Sequence, residues 1–103
     1  MNKKQQFEKL LSGELHSIVL FKPILMHFAA RFNQTTYGKL ASDYKVLVES
    51  NIRCMEYFDL DTLSLISDPY RETSAFGARI EFIPEGVPKC LNKVIQNEDD
   101  AIN

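Results

Sequence analysis

Five side chains in this sequence are of types that bind or move charge, and they fall in two clusters. His27 stands four residues before Arg31, a spacing that puts both on one face of a helix. Asp68 is followed directly by Pro69, Tyr70 and Arg71. A carboxylate accepts hydrogen bonds or a proton, an imidazole titrates near neutrality, and guanidiniums hold planar anions with two parallel bonds. Brought together, Asp68 as the catalytic candidate, with His27, Arg31, Tyr70 and Arg71 as binding groups, would suit an anionic or proton-transferring substrate. Each also has a plainer reading. His27 could be a satisfied structural histidine and Arg31 a solvated cation. Asp68 before proline could be a turn residue. An Asp68–Arg71 pair on a surface would contribute under about 1 kcal/mol. His16 reads as a loop residue.

The elements that must position these groups follow from the apolar spacing. Residues 2–12 read as a helix, with Phe7, Leu10 and Leu11 on one face and Gly13 as its stop. The run Ile18 to Phe21 and Ile24 to Met26 flanks Lys22-Pro23. It has no alternation, which suits a strand covered on both faces, as in a parallel sheet. Pro23 cannot donate to a ladder and belongs near the strand start or at an irregularity. From His27 to Phe32 the pattern turns helical. Asn33 to Gly38 is polar and loop-like, with Thr36 capping a short turn that ends near Ala41.

Ser42 or Asp43 caps the longest helix, Asp43 to Phe58, whose buried stripe is Val46, Leu47, Ser50, Cys54, Tyr57 and Phe58. Val48, Ile52 and Met55 flank that stripe. Thr62 to Ile66 is a second short strand. Arg71 to Phe76 is a helical turn closed by Gly77, Arg79 to Ile83 a half-exposed strand, Pro84 to Pro88 a turn, and Cys90 to Ile95 a further strand. Asn97 to Asp100 reads as a cap with an acidic first turn. Strand, helices, strand is a βαβ unit, and sites gather at the carboxyl ends of its strands. His27 and Asp68 stand at those two ends.

The 103 residues are 45% apolar and 25% charged, with a net charge of -2. That is one ordinary globular domain or part of one. The small acidic balance argues against a nucleic-acid partner. The longest apolar stretch, Ile18 to Ala30, is broken by Lys22, Pro23 and His27 and is too short to span a bilayer. Residues 1–14 are polar, unlike a secretory leader. Cys54 and Cys90 are isolated, with no CxxC pair, so a reducing cytoplasm is the default and no metal is assigned. No phosphate-cradling glycine loop, nucleophile elbow or metalloprotease motif is present.

The stretch Pro23-Ile-Leu-Met-His-Phe-Ala-Ala-Arg-Phe32 resembles the first-strand motif of the uroporphyrinogen decarboxylase superfamily. Leu65-Ile-Ser-Asp-Pro-Tyr70, Ala75-Phe-Gly-Ala-Arg-Ile-Glu-Phe82 and Glu85-Gly-Val-Pro88 resemble its second strand and following hairpin. The Ser-Asp-Pro-Tyr-Arg-Glu and His-Phe-Ala-Ala phrases are nearer the corrinoid- and cobalamin-linked methyltransferase branch. The resemblance implies that Arg31 is the second of two carboxylate-holding arginines in the decarboxylase motif. The first falls on His27, a departure that puts porphyrinogen decarboxylation in doubt. It implies that Asp68 is the aspartate that meets the pyrrole nitrogens. A corrinoid, and a zinc held by residues of the later barrel, are implied for the family. Cys54 and Cys90 do not match those zinc positions.

The expected fold is therefore α/β: a partial (β/α)8-barrel fragment ordered helix, strand, helices, strand, hairpin, with its first two strands paired in parallel. Residues 1–14 form the leading helix, 15–68 the first βαβ unit, and 69–103 the hairpin and the start of the next helix. A helix start followed at once by the last residue suggests a shortened chain. About two of the eight βα units of a barrel are present, so completion by self-association or by a complementing chain is expected. The expected parent activity is corrinoid-dependent methyl transfer, with a corrinoid protein as implied partner and little catalysis by this chain alone. The alternatives are a non-enzymatic interaction module and a tetrapyrrole or corrinoid binder.

Overall fold

The computed structural model describes residues 1–14 and 17–102; His16 lies outside them. The order is α1 (Lys3–Leu11), α2 (Met26–Phe32), α3 (Tyr37–Ser42), α4 (Tyr44–Phe58), α5 (Arg71–Ala75), β1 (Ile80–Glu81), β2 (Lys89–Cys90) and α6 (Glu98–Ile102).

Side-chain caps start most of these helices. Asn2 and Gln5 form a reciprocal capping box at α1, and Thr36 and Asp43 accept from Lys39 N and Lys45 N at α3 and α4. Asn97 likewise accepts from Asp100 N at α6. The helix ends are equally specified. Gly13 and Gly77 take left-handed φ of 78° and 102° after α1 and α5. Paired backbone bonds, Glu14 N to Lys9 O and Ala78 N to Thr73 O, close both ends in Schellman fashion. Thus the helical turn expected near Arg71 and its glycine stop are both formed.

The core sits where α2, α3 and α4 meet. Ala29, Ala30, Tyr37, Leu40, Leu47, Cys54 and Leu60 form it. Two alanines on α2 let α4 approach closely, and Leu40 and Leu47 fill the space between, each stabilising the fold by about 1.5–3 kcal/mol. Ser50 and Asn51 share the buried face of α4. Asn33 donates to Ser50 Oγ at 2.9 Å, and Asn51 donates to Leu47 O at 2.8 Å. The expected stripe of α4 is right at Leu47, Ser50 and Cys54 and wrong at its end. Tyr57 is 74% exposed and Phe58 40%, because the core ends with α2 and the two rings pack on Phe32 instead. Helix α1 buries no residue, so its expected apolar face is only half covered.

The sheet differs most from expectation. Among the described residues it is a single antiparallel ladder, with Ile80 opposite Cys90 and Glu81 opposite Lys89. No parallel ladder joins segments 18–25 and 62–68. Segment 18–25 is instead clasped by Asp61, which directly precedes segment 62–68. Asp61 Oδ2 accepts from Phe21 N at 2.7 Å, and Asp61 N donates to Phe21 O at 3.1 Å. Lys3 Nζ reaches Asp59 Oδ1 at 2.7 Å and Asp61 Oδ1 at 3.4 Å, which fastens α1 to the same point. The physical reason is that both backbone groups of Phe21 are taken by Asp61, ahead of segment 62–68.

The chain is a slab, 49 × 37 × 17 Å, with a radius of gyration of 17.4 Å. A closed domain of this length has about 13 Å. Many large apolar side chains are exposed as a result, Val19 at 95% among them. No helix among the described residues is long and apolar enough to cross a membrane.

Candidate functional site

Segment 62–68 ends in a tight polar turn. Asp68 is 7% exposed. Its Oδ1 accepts from Ser67 Oγ at 2.6 Å and its Oδ2 from Tyr70 N at 2.9 Å. The second bond is an Asx turn across Pro69, which aims the chain into α5. Each oxygen keeps an acceptor position beyond the bond it already makes.

Arg71 follows on α5 and does not pair with Asp68 among the described residues. Its Nε donates to Ser67 Oγ at 2.8 Å and its Nη2 to Ala41 O at 3.0 Å. Ser67 therefore stands between the two charges, accepting from the guanidinium and donating to the carboxylate. Arg71 gives one donor to Ser67 and one to the C-terminal end of α3, and so braces α3 against α5. The local Asp68–Arg71 pair considered from the sequence is replaced by this three-residue relay.

Tyr37 closes the site from the other side. It is 2% exposed, and its hydroxyl donates to Ser67 O at 2.5 Å. Burial, and then the Asp68 carboxylate, push its phenol above the ordinary value. The His27 ring lies 5.1 Å from the Tyr37 ring, tilted by 31°. Met26, just before His27, takes a positive φ of 36°, a strained turn for a side chain of this size. It breaks segment 18–25 into α2 and places His27 at the first turn.

The structure thus gathers His27, Asp68 and the relay through Ser67 to Arg71 around the Tyr37 ring. Tyr70 contributes its amide, and its ring is half-buried at the start of α5. Arg31 sits one turn after His27, exposed and without an ion pair among the described residues. Its guanidinium is free to meet a ligand. Sequence reasoning missed Tyr37 and Ser67. Tyr37 fell in a stretch read as loop, although the Thr36 cap directly before it signalled a helix start and hence a face to bury.

Gly38 shows why that helix docks where it does. A Cβ there would stand 2.7 Å from Ile83 O and 3.0 Å from Pro84 Cα. Gly38 N also donates to Pro84 O at 2.9 Å. Only glycine lets the hairpin arm lie against α3 so closely.

The zinc that the resemblance implies belongs to the later barrel, and Cys54 and Cys90 do not come together to hold one here. Cys54 is buried in the core, and Cys90 Sγ lies 3.0 Å from Asn92 O. No cluster of three or more His, Cys, Asp or Glu suited to a metal occurs among the described residues. A groove of about 620 Å³ between α5 and α6 is lined by Phe76, Val94 and Ile95 and by none of the five sequence candidates.

Fold and site together give a buried carboxylate at Asp68, held by Ser67 and Tyr70, beside Tyr37, against whose ring the His27 imidazole is tilted. A family model described as uroporphyrinogen decarboxylase (URO-D) matches residues 2–102. The chain belongs to the uroporphyrinogen decarboxylase family. No curated protein and no solved structure gives a significant match.

Proposed function

We propose that this chain is the N-terminal part of a uroporphyrinogen-decarboxylase-like (β/α)8 barrel. We propose further that its parent activity is corrinoid-dependent methyl transfer, and that alone it binds the tetrapyrrole-like substrate without turning it over. Family membership supports the first statement. The absence of any closed sheet among the described residues supports the last. The observation that carries the branch assignment is His27. It occupies the place of a carboxylate-holding arginine in the decarboxylase motif, and its ring lies tilted against Tyr37. An imidazole lacks the planar two-pronged fork of a guanidinium and is a poorer clamp for a substrate rich in carboxylates. Arg31 remains as one anion anchor. Asp68 offers two acceptor oxygens to N–H donors, fixed by Ser67 and Tyr70. His27 presents ring nitrogens that make no hydrogen bond among the described residues.

The test is a visible-absorbance titration of the chain with cobalamin and with a porphyrin. Saturable binding of the corrinoid is expected, stronger than for the porphyrin and weakened about tenfold by Arg31→Ala. No saturable binding of either would overturn the binding role. Preference for the porphyrin would overturn the branch. Combining the chain with separately produced later barrel strands and assaying methyl transfer from methylcobalamin to a thiol checks the parent activity.

A further inference from the structure

The hydrogen bonds around Asp68 run in one direction. Arg71 Nε donates to Ser67 Oγ at 2.8 Å, and Ser67 Oγ donates to Asp68 Oδ1 at 2.6 Å. A guanidinium only donates and Ser67 has one hydroxyl proton, so both bonds point toward the carboxylate. Tyr70 N donates to the other oxygen, Oδ2, at 2.9 Å. Asp68 is thus an acceptor at both oxygens, and the positions it has left are acceptor positions as well. It suits a ligand group that brings a hydrogen, and it repels a carboxylate.

The placement of Asp68 narrows which ligand group this is. The residue is 7% exposed, in the turn between segment 62–68 and α5. A carboxylate so enclosed meets the rim of a flat macrocycle and not the nitrogens at its centre. In a corrinoid those nitrogens hold cobalt and carry no hydrogen in any case. The N–H groups that a corrinoid offers are the carboxamides of its rim. The second cluster agrees in sign, since His27 stands where the decarboxylase motif has an arginine for a carboxylate.

We propose that Asp68 takes a rim carboxamide of the corrinoid, so that the site selects corrinoids with amidated side chains over those with carboxylate or ester side chains. The juxtaposition that carries this is the Arg71–Ser67–Asp68 series of bonds ending on a nearly buried carboxylate. The inference rests on the corrinoid-binding reading above and names the ligand group that the site distinguishes. Ser67 is a positioning residue in it, because it fixes which way Oδ1 faces.

Equilibrium dialysis of the chain against three corrinoids, read by their visible absorbance, tests it. Dicyanocobinamide has carboxamide side chains, dicyanocobyrinic acid has carboxylates, and the methyl ester of that acid is uncharged and has no side-chain N–H. Dicyanocobinamide is expected to bind at least about tenfold more tightly than either of the others. The ester separates loss of the N–H donor from repulsion between charges. Asp68→Asn should bring the ester to within about threefold of the amide, since a carboxamide there also donates. Glu85→Gln, at an exposed position on the hairpin turn, removes the same charge and should leave the preference intact. Ser67→Ala should narrow the preference in the same direction as Asp68→Asn, and it carries the comparison if Asp68→Asn loses its far-UV circular dichroism. Equal binding of amide and ester by the unaltered chain leaves the corrinoid reading standing and overturns this proposal. An unchanged preference in folded Asp68→Asn or Ser67→Ala overturns it too. No saturable binding of any of the three removes the corrinoid reading itself, and the proposal falls with it.

Discussion

The Tyr37 hydroxyl donates to the Ser67 carbonyl across thirty residues of sequence, at 2.5 Å and in a buried setting. It ties α3 to the residue that holds both Asp68 and Arg71. Tyr37→Phe removes the donor and leaves a buried carbonyl without it. The expected loss is about 1–3 kcal/mol, read from urea unfolding. The pH dependence has a definite sign. A phenol raised above its ordinary value of 10.0 contributes stability that is complete below pH 10 and is lost as pH rises through the folded value. Tyr37→Phe should flatten that alkaline limb.

Arg71 braces α3 through Ala41 O and Ser67 Oγ. Arg71→Ala should cost about 1–3 kcal/mol, because the carbonyl at the end of α3 loses a charged donor. Arg71→Lys should not restore it, since an ammonium lacks the planar fork that reaches both acceptors. Thermal melts of the two variants check this, with equal losses expected.

Helix α2 ends in a Schellman motif, with Thr35 N to Ala30 O at 2.9 Å and Gln34 N to Arg31 O at 3.0 Å. The left-handed position is Gln34, exposed, with φ 55°. Gln34→Gly removes the steric cost of a Cβ there and should stabilise the chain by about 0.5–1 kcal/mol. A higher urea midpoint with an unchanged slope is the expected result.

The approach of α3 to the hairpin arm depends on Gly38. A methyl group would meet the backbone of Ile83 and Pro84, which cannot swing aside as a side chain could. Gly38→Ala should cost about 1–3 kcal/mol and raise exchange rates at the β1–β2 amides. An unchanged melting temperature would contradict this packing.

Asp61 holds segment 18–25 and α1 at one point. The Phe21 amide, followed by the Lys3 ammonium, lowers its carboxyl below the ordinary 3.8. Its contribution is therefore present above pH 3.8 and fades as pH falls through the lower folded value. Asp61→Asn should destabilise the chain at neutral pH and remove part of the acid sensitivity. Urea midpoints compared between neutral and acidic buffer measure both.

Local signals carried much of the reading. Thr36 and Asp43 cap where their side chains allow, and Gly13 and Gly77 stop helices where positive φ is needed. Leu47, Ser50 and Cys54 mark the buried face of α4 by spacing alone. The phrases around His27 and Asp68 pointed to the family that the chain belongs to. These features are legible because each depends on residues within about four positions of one another.

What only the tertiary structure decided depends on contacts distant in sequence. Apolar runs at 18–26 and 62–66 announced strands, yet a strand needs a partner, and the clasp through Asp61 stands where a ladder was expected. The pairing of Arg71 with Ser67 and Ala41, and not with Asp68, followed from where α3 ends. Tyr37 became the centre of the site because α3 folds back over the Asp68 turn. Sequence periodicity records which faces are apolar, whereas packing selects which distant groups those faces meet.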